Sequence, residues 1–259
     1  MTRALTATER PVRVGAALRA GLTLLLLALC AVPGANVDAE NAADTAGVAA
    51  YRARYQVSYR GIGGGQIEAS LQPDADGTWL YETHAHPNML GRLAISEAAH
   101  ERGRMQITAD GIRPLTYDYD AGSSDHSKDI HIKFDWDRLH AEGSHQGRAF
   151  AFDVPPGTQD TASVQAAMMQ NLATGRAPQS FRLVSSGKLR EYRYWSEGTA
   201  HVKTELGEFD TVIWANQGDG SSRVSKVWHA PALGYVPVQA IQYRDGRAEL
   251  QMRLIKLDQ

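Results

Sequence analysis

The chain has 259 residues, 43% hydrophobic and 22% charged, with 27 basic against 29 acidic side chains and a single cysteine. That hydrophobic content excludes a wholly disordered or fibrous polymer, and a formal net charge of −2 offers no concentrated basic surface for nucleic acid. One cysteine excludes an intramolecular disulfide framework and every CxxC redox or zinc pattern.

The first nineteen residues carry Arg3, Arg10, Arg13 and Arg19 against one acid, Glu9, and Gly21–Val32 follows without a charge. A positive leader, a short apolar run and small residues beyond it form the pattern of a secretory signal peptide. Pro33-Gly34 ends the run well short of the roughly 20 apolar residues a spanning helix needs. Val37 and Ala39 supply small side chains for cleavage after Ala39, with Ala35 as the other option. Cys30 is preceded by bulky Leu29, where a lipidated cysteine follows a small residue, so lipoprotein anchoring is not expected. Loss of residues 1–39 takes away four basic and two acidic groups and leaves 23 and 27, a net charge of −4 without cysteine. Such a chain suits an oxidising compartment, the periplasm, without depending on one.

Residues 40–50 are small and polar and read as a linker. From Tyr51 the period becomes two: Tyr51, Ala53, Tyr55, Val57 and Tyr59 alternate with Arg52, Arg54, Gln56, Ser58 and Arg60, which places the two sets on opposite faces of a strand. Gly61-Ile-Gly-Gly-Gly65 reads as a turn, with return strands over 66–71 and 78–84. Further strands are expected over 93–99, 104–109, 115–119, 129–134, 138–142 and 148–153. Beyond the helix they are expected over 179–184, 189–196, 199–204, 207–215, 222–229, 235–243 and 247–257. Gly, Asp and Asn at the joints and a spacing of roughly 8–12 residues indicate a mainly β protein, an antiparallel meander forming a curved, barrel-like or partly open sheet. No βαβ rhythm appears, which argues against a doubly wound nucleotide fold. The mature chain, 51–259, reads as a single domain.

One segment differs. After Pro155-Pro156-Gly157, residues 161–173 place Val164, Ala167, Met168 and Leu172 at helical spacing, with Asp160 or Thr161 to cap the start and Gly175 to close the end. This amphipathic helix is expected against one face or mouth of the sheet. Met168 and Met169 can give a plastic apolar contact to a ligand or can simply fill the core.

Motifs with chemistry are weak. The glycine run lacks both the dinucleotide fingerprint and the P-loop pattern and leads into a strand. His84 and His86 share a face of an extended segment, and Asp129 and His131 repeat that spacing, with Asp125 and His126 upstream. The two pairs can supply zinc ligands only if the fold brings them together; hydrogen-bonded or solvent-facing histidines are the simpler reading. The acid pairs Asp118/Asp120 and Asp135/Asp137 sit at turns, and no G-x-S-x-G elbow is present. No cofactor is implied. Among the strand aromatics, Tyr192, Tyr194, Trp195, Trp214 and Trp228 can line a sugar or lipid cleft, although cross-strand packing explains them more cheaply.

Five segments in order carry a family resemblance: Tyr55–Gly65, Asp110–Tyr117, Val154–Asp160 with the helix after it, Thr204–Asp210, and Val227–Val238. Their succession behind a signal peptide resembles DUF3108, a bacterial exported domain family of unknown function, over about residues 51–257. The resemblance implies a periplasmic or surface-exposed β protein of Gram-negative bacteria and supplies no catalytic residue.

Three functional classes follow. The first is a non-catalytic binding or carrier module for an apolar or amphiphilic envelope ligand, with Met168, Met169, Trp195, Trp214 and Trp228 as contact residues. The second is an envelope hydrolase or metal-dependent enzyme acting on cell-wall or polysaccharide material, which requires His84, His86, Asp129 and His131 to converge or two acids to meet in a cleft. The third is a scaffold that pairs a strand edge with another envelope protein. An open interior favours the first and a filled one a structural role.

Overall fold

The computed structural model describes residues 47–93, 96, 99–124 and 126–259; the leader, Cys30, the cleavage site, most of the linker and Asp125 lie outside them. Fourteen strands form one antiparallel sheet: β1 (Tyr51–Tyr59), β2 (Ile62–Pro73), β3 (Trp79–Pro87), β4 (His100–Thr108), β5 (Gly111–Asp120), β6 (Ile130–Asp135), β7 (His140–His145), β8 (Arg148–Asp153), β9 (Ser180–Ser185), β10 (Lys188–Thr204), β11 (Gly207–Gly218), β12 (Arg223–Ala230), β13 (Val236–Arg244) and β14 (Arg247–Asp258). Among the described residues the one α-helix, α1 (Ser163–Ala173), connects β8 to β9. None of the described helices is long and apolar enough to cross a membrane.

The spatial order β8-β7-β6-β5-β4-β3-β2-β1-β14-β13-β12-β11-β10-β9 is a meander whose two ends meet at β1 and β14. The sheet curls but does not close into a barrel, because β8 and β9 remain its edges. A seam joins them. Gln159 forms a parallel bridge to Leu183, its N–H donating to the Arg182 carbonyl at 2.8 Å and its carbonyl accepting from Val184 N–H at 2.9 Å. The β9–β10 turn also presses on the far edge, where a Cβ on Gly187 would lie 3.2 Å from Phe150 and 3.3 Å from the His145 Cβ.

The alternation predicted for β1 holds: Tyr51, Ala53, Tyr55 and Val57 are buried while Arg54 and Gln56 are exposed. Two expectations are corrected. The glycine run is not the turn, since Gly63, Gly64 and Gly65 lie inside β2 and the turn is made by Arg60 and Gly61 at positive φ. Most of the strand expected over 93–99 lies outside the described residues; on either side of it, Leu93 closes a 3₁₀ turn (Gly91–Leu93) and β4 begins at His100. Glu197-Gly198 does not divide two strands, because a β-bulge between Ser196 and Thr199 absorbs it within the 17-residue β10.

The helix begins at Ser163 and packs, as expected, against one face of the sheet, the inner one over β4 and β5, where it is buried nearly all round. Ser163, Val164, Ala166, Ala167, Met168, Met169, Gln170 and Leu172 are all buried. Small residues permit this: Gly103 on β4 faces Ala162, and a Cβ at 103 would stand 2.4 Å from the Ala162 Cβ. Asp160 caps the first turn, Oδ1 accepting from Ala162 N–H at 2.9 Å and Ser163 N–H at 2.7 Å, while Ser163 Oγ accepts the Asp160 N–H. Gln170 Nε2 ties the far end to the Thr108 carbonyl at 2.6 Å.

Candidate functional site

The interior is not one uninterrupted core. The main core includes Tyr51, Leu71, Tyr81, Met105, Tyr117 and Ile132 and runs on through β9, β10, β13 and β14 with Val184, Val202, Val238, Met252 and Leu254. Two small clusters beside α1 stand apart from it, Val164 with Leu183 and Tyr192, and Met168 with Leu172 and Trp214. Between them lies an apolar cavity of about 80 Å³, bounded by Met168, Tyr194, Trp214, Val227, Ala240 and Met252. A second cavity of about 170 Å³ adjoins it and shares Thr161, Tyr192, Asn216 and Ser225. This one is polar, with Arg190, Ser221, Arg223 and Gln242 in its wall.

Strand register orders these walls into layers. Arg223 stands opposite Arg244, Ser225 opposite Asn216 and Gln242, and Val227 opposite Trp214 and Ala240. Residues two apart on a strand share a face, so this inner face runs from charged through polar to apolar. His229 ends the series on β12, buried with Nδ1–H donating to the Tyr235 carbonyl at 2.8 Å. Burial lowers its pKa to about 4 against a smaller opposing effect of that bond, so the ring is neutral at pH 7 and Nε2 is left as an acceptor.

A buried acid on β4 borders the apolar cavity. Glu101 is 4% exposed and lines the cavity wall. Its Oε1 accepts from the Tyr117 hydroxyl at 2.8 Å and its Oε2 from Thr83 Oγ1 at 3.1 Å. Desolvation raises the carboxyl to about 8, opposed by those two hydrogen bonds and assisted by the charge of Asp160. Asp160 is likewise raised by burial, to about 6, against the bonds from Ser163 and Ala162. These two acids approach each other electrostatically, yet each is engaged in holding structure: Glu101 joins β3, β4 and β5, and Asp160 caps α1.

Of the five residues expected to contact a ligand, Met168 and Trp214 pack in one small cluster and line the cavity. Met169 points to the continuous core. Trp195 and Trp228 lie on the opposite face of the sheet from Trp214, paired with Ala215 and Ile213 respectively; Trp195 is 36% exposed and donates to Glu197 at 3.3 Å. Arg190, Arg223 and Gln242 were not singled out by the sequence, and a single arginine near a strand end carries no signal that separates it from surface charge.

The four residues considered as metal ligands do not converge. His84 and His86 sit on β3 beside His100, with ring centroids 6.1–6.3 Å apart; partial burial and the neighbouring imidazoles lower the His84 pKa. His131 pairs with Asp118 at 2.7 Å and Asp129 with His126 at 2.7 Å. β4 and β5 intervene between β3 and β6, a separation of roughly 14 Å at the usual strand spacing. Among the described residues, Asp120, His126 and Asp129 form a group with ligand atoms within 4.8 Å of one another. The same contacts fold the loop before β6, since Asp129 Oδ1 accepts Ala121 N–H and Asp120 Oδ1 accepts Gly122 N–H.

The open, curled sheet around a single helix is a β-barrel-like fold. It is similar to the β-barrel-like protein of the DUF1849 domain from Brucella abortus, at TM-score 0.53 and 10% identity over 81% of this chain and 97% of that one. Weaker similarity extends to MucB, at TM-score 0.34 and 10% identity over 81% of this chain and 52% of that chain. A protein described as exported, with a YmcC-like fold, from Bacteroides fragilis gives TM-score 0.33 at 10% identity over 81% and 95% of the two chains. No curated protein matches by sequence. The DUF3108 profile, "Protein of unknown function", matches residues 54–253. The chain belongs to the DUF3108 family.

Proposed function

We propose that this protein is an exported, non-catalytic binding module that takes an apolar or amphiphilic ligand of the cell envelope between α1 and β10–β13. The observation that carries this reading is the pair of adjoining cavities, one mainly apolar and one polar, that border α1 and β10–β13 beside two small clusters separate from the continuous core. The apolar cavity of about 80 Å³ is roughly half the size of one that takes up benzene, so a short chain enters only as the wall gives, while the adjoining polar cavity of about 170 Å³ offers room for a headgroup. Met168 is unbranched and can repack around a longer one. Export is supported by the arginine-led apolar leader and its small residues before Glu40.

Native mass spectrometry after incubation with decanoate tests the reading. Wild type is expected to retain one molecule, and Met168→Trp, which fills the cavity, to retain none while melting as wild type does. Absence of any retained amphiphile from wild type at millimolar decanoate overturns it.

A further inference from the structure

The polar cavity gives the ligand a chemical class. We infer that the mouth formed by the β9–β10 turn, the β11–β12 turn and the facing residues of β6 is a seat for an oxyanion, so that the amphiphile bound here carries a carboxylate or phosphate headgroup. The inference rests on the binding reading above and adds its specificity.

Charge is the first argument. The cavity of about 170 Å³ is walled by Arg190 and Arg223 with Asn216, Ser221, Ser225 and Gln242, and none of the described carboxylates lines it. Elsewhere the guanidinium groups of Arg54, Arg60, Arg102, Arg104, Arg182 and Arg244 each meet a carboxylate. Arg223 meets none among the described residues, and its Nε is shielded from solvent without an acceptor. A shielded guanidinium donor without a partner is costly to keep, and its planar fork fits carboxylate and phosphate oxygens. Register places Arg244 opposite Arg223, adding positive potential that Glu249 only partly offsets, since Arg60 draws on the same carboxylate.

Polarity is the second argument. Gln242 is 1% exposed, lines this cavity, and its Oε1 has no donor; a protonated headgroup oxygen or a bridging water can supply one. Below it the wall turns apolar through Val227, Trp214 and Ala240 to Met168. The order charged, polar, apolar along one face matches a charged head followed by a chain.

The experiment is a set of calorimetric titrations of wild type, Arg223→Gln and Arg190→Gln with decanoate, decyl phosphate, 1-decanol and inorganic phosphate. Decanoate and decyl phosphate are expected to bind wild type at least tenfold more tightly than 1-decanol. Arg223→Gln is expected to bring both down to the level of 1-decanol without changing the affinity for 1-decanol itself, and Arg190→Gln to move them the same way by a smaller factor. Equal affinities for charged and neutral chains in wild type, or arginine variants that bind as wild type does, overturn the oxyanion seat and leave the binding module standing. If no amphiphile binds but inorganic phosphate does so through Arg223, the seat stands as a site for a free anion and the module reading fails. If nothing binds, both fail.

Discussion

Glu101→Gln tests whether a protonated acid is built into the wall of the cavity. Glu101 is buried with two donors directed at it, and its carboxyl is raised from 4.5 to about 8. The folded state therefore holds a proton that the unfolded chain releases at a much lower pH. For an acid raised in this way, stability is highest below the unfolded pKa, falls as pH rises, and levels off above the folded value. Asp160, raised to about 6, adds to the fall at lower pH, whereas His229, lowered to about 4, opposes it up to the ordinary histidine value of 6.5. Between pH 6.5 and 8 Glu101 dominates, and at 1.36 kcal/mol per unit the loss over that window is about 2 kcal/mol. Glutamine reproduces the shape of the protonated acid, accepting from Tyr117 and facing Thr83, without a proton to lose. In urea titrations at pH 6.5, 7.0, 7.5 and 8.0, wild type is expected to lose about 2 kcal/mol more than the variant. Parallel curves for the two proteins refute the assignment of a neutral, buried Glu101.

Two further outcomes follow from packing and burial. Gly103→Ala pushes a methyl to within 2.4 Å of the Ala162 Cβ and is expected to cost about 1–3 kcal/mol; wild-type stability in a urea titration would show that α1 does not sit against β4. His229 must charge on acidification, so it contributes stability above its unfolded value that is lost as pH falls from 6.5 toward 4. His229→Gln is expected to flatten that acid limb relative to wild type, and an unchanged limb contradicts a neutral buried imidazole.

The strands were legible because the sheet has one dry face: β1 shows the Tyr51, Ala53, Tyr55, Val57 alternation that burial later bears out. The bulge at Gly198 was not, since a glycine after an acid reads equally as a hairpin and only the partner β11 decides between them. The helix was visible in its spacing and caps, but its place inside the sheet depends on Gly103, sixty residues away from Ser163, and on the seam at Gln159 and Leu183. Local periodicity carries neither. Met168 and Trp214 were recognised by type and do meet, whereas Trp195 and Trp228 share that type and fall on the other face by a single step in register. Arg223 escaped because its lack of a partner is a property of the strands and turns that surround it, not of its neighbours in the chain.

If a chain enters between α1 and β10–β13, Trp214 is the reporter already in place on that wall. Dodecanoate brominated at its chain terminus quenches tryptophan fluorescence at contact. Titration of wild type is expected to give saturable quenching that disappears in Trp214→Phe, while Trp195→Phe still quenches as wild type does. Quenching that survives the loss of Trp214 and vanishes with Trp195 would put the chain on the outside of the sheet and contradict the account.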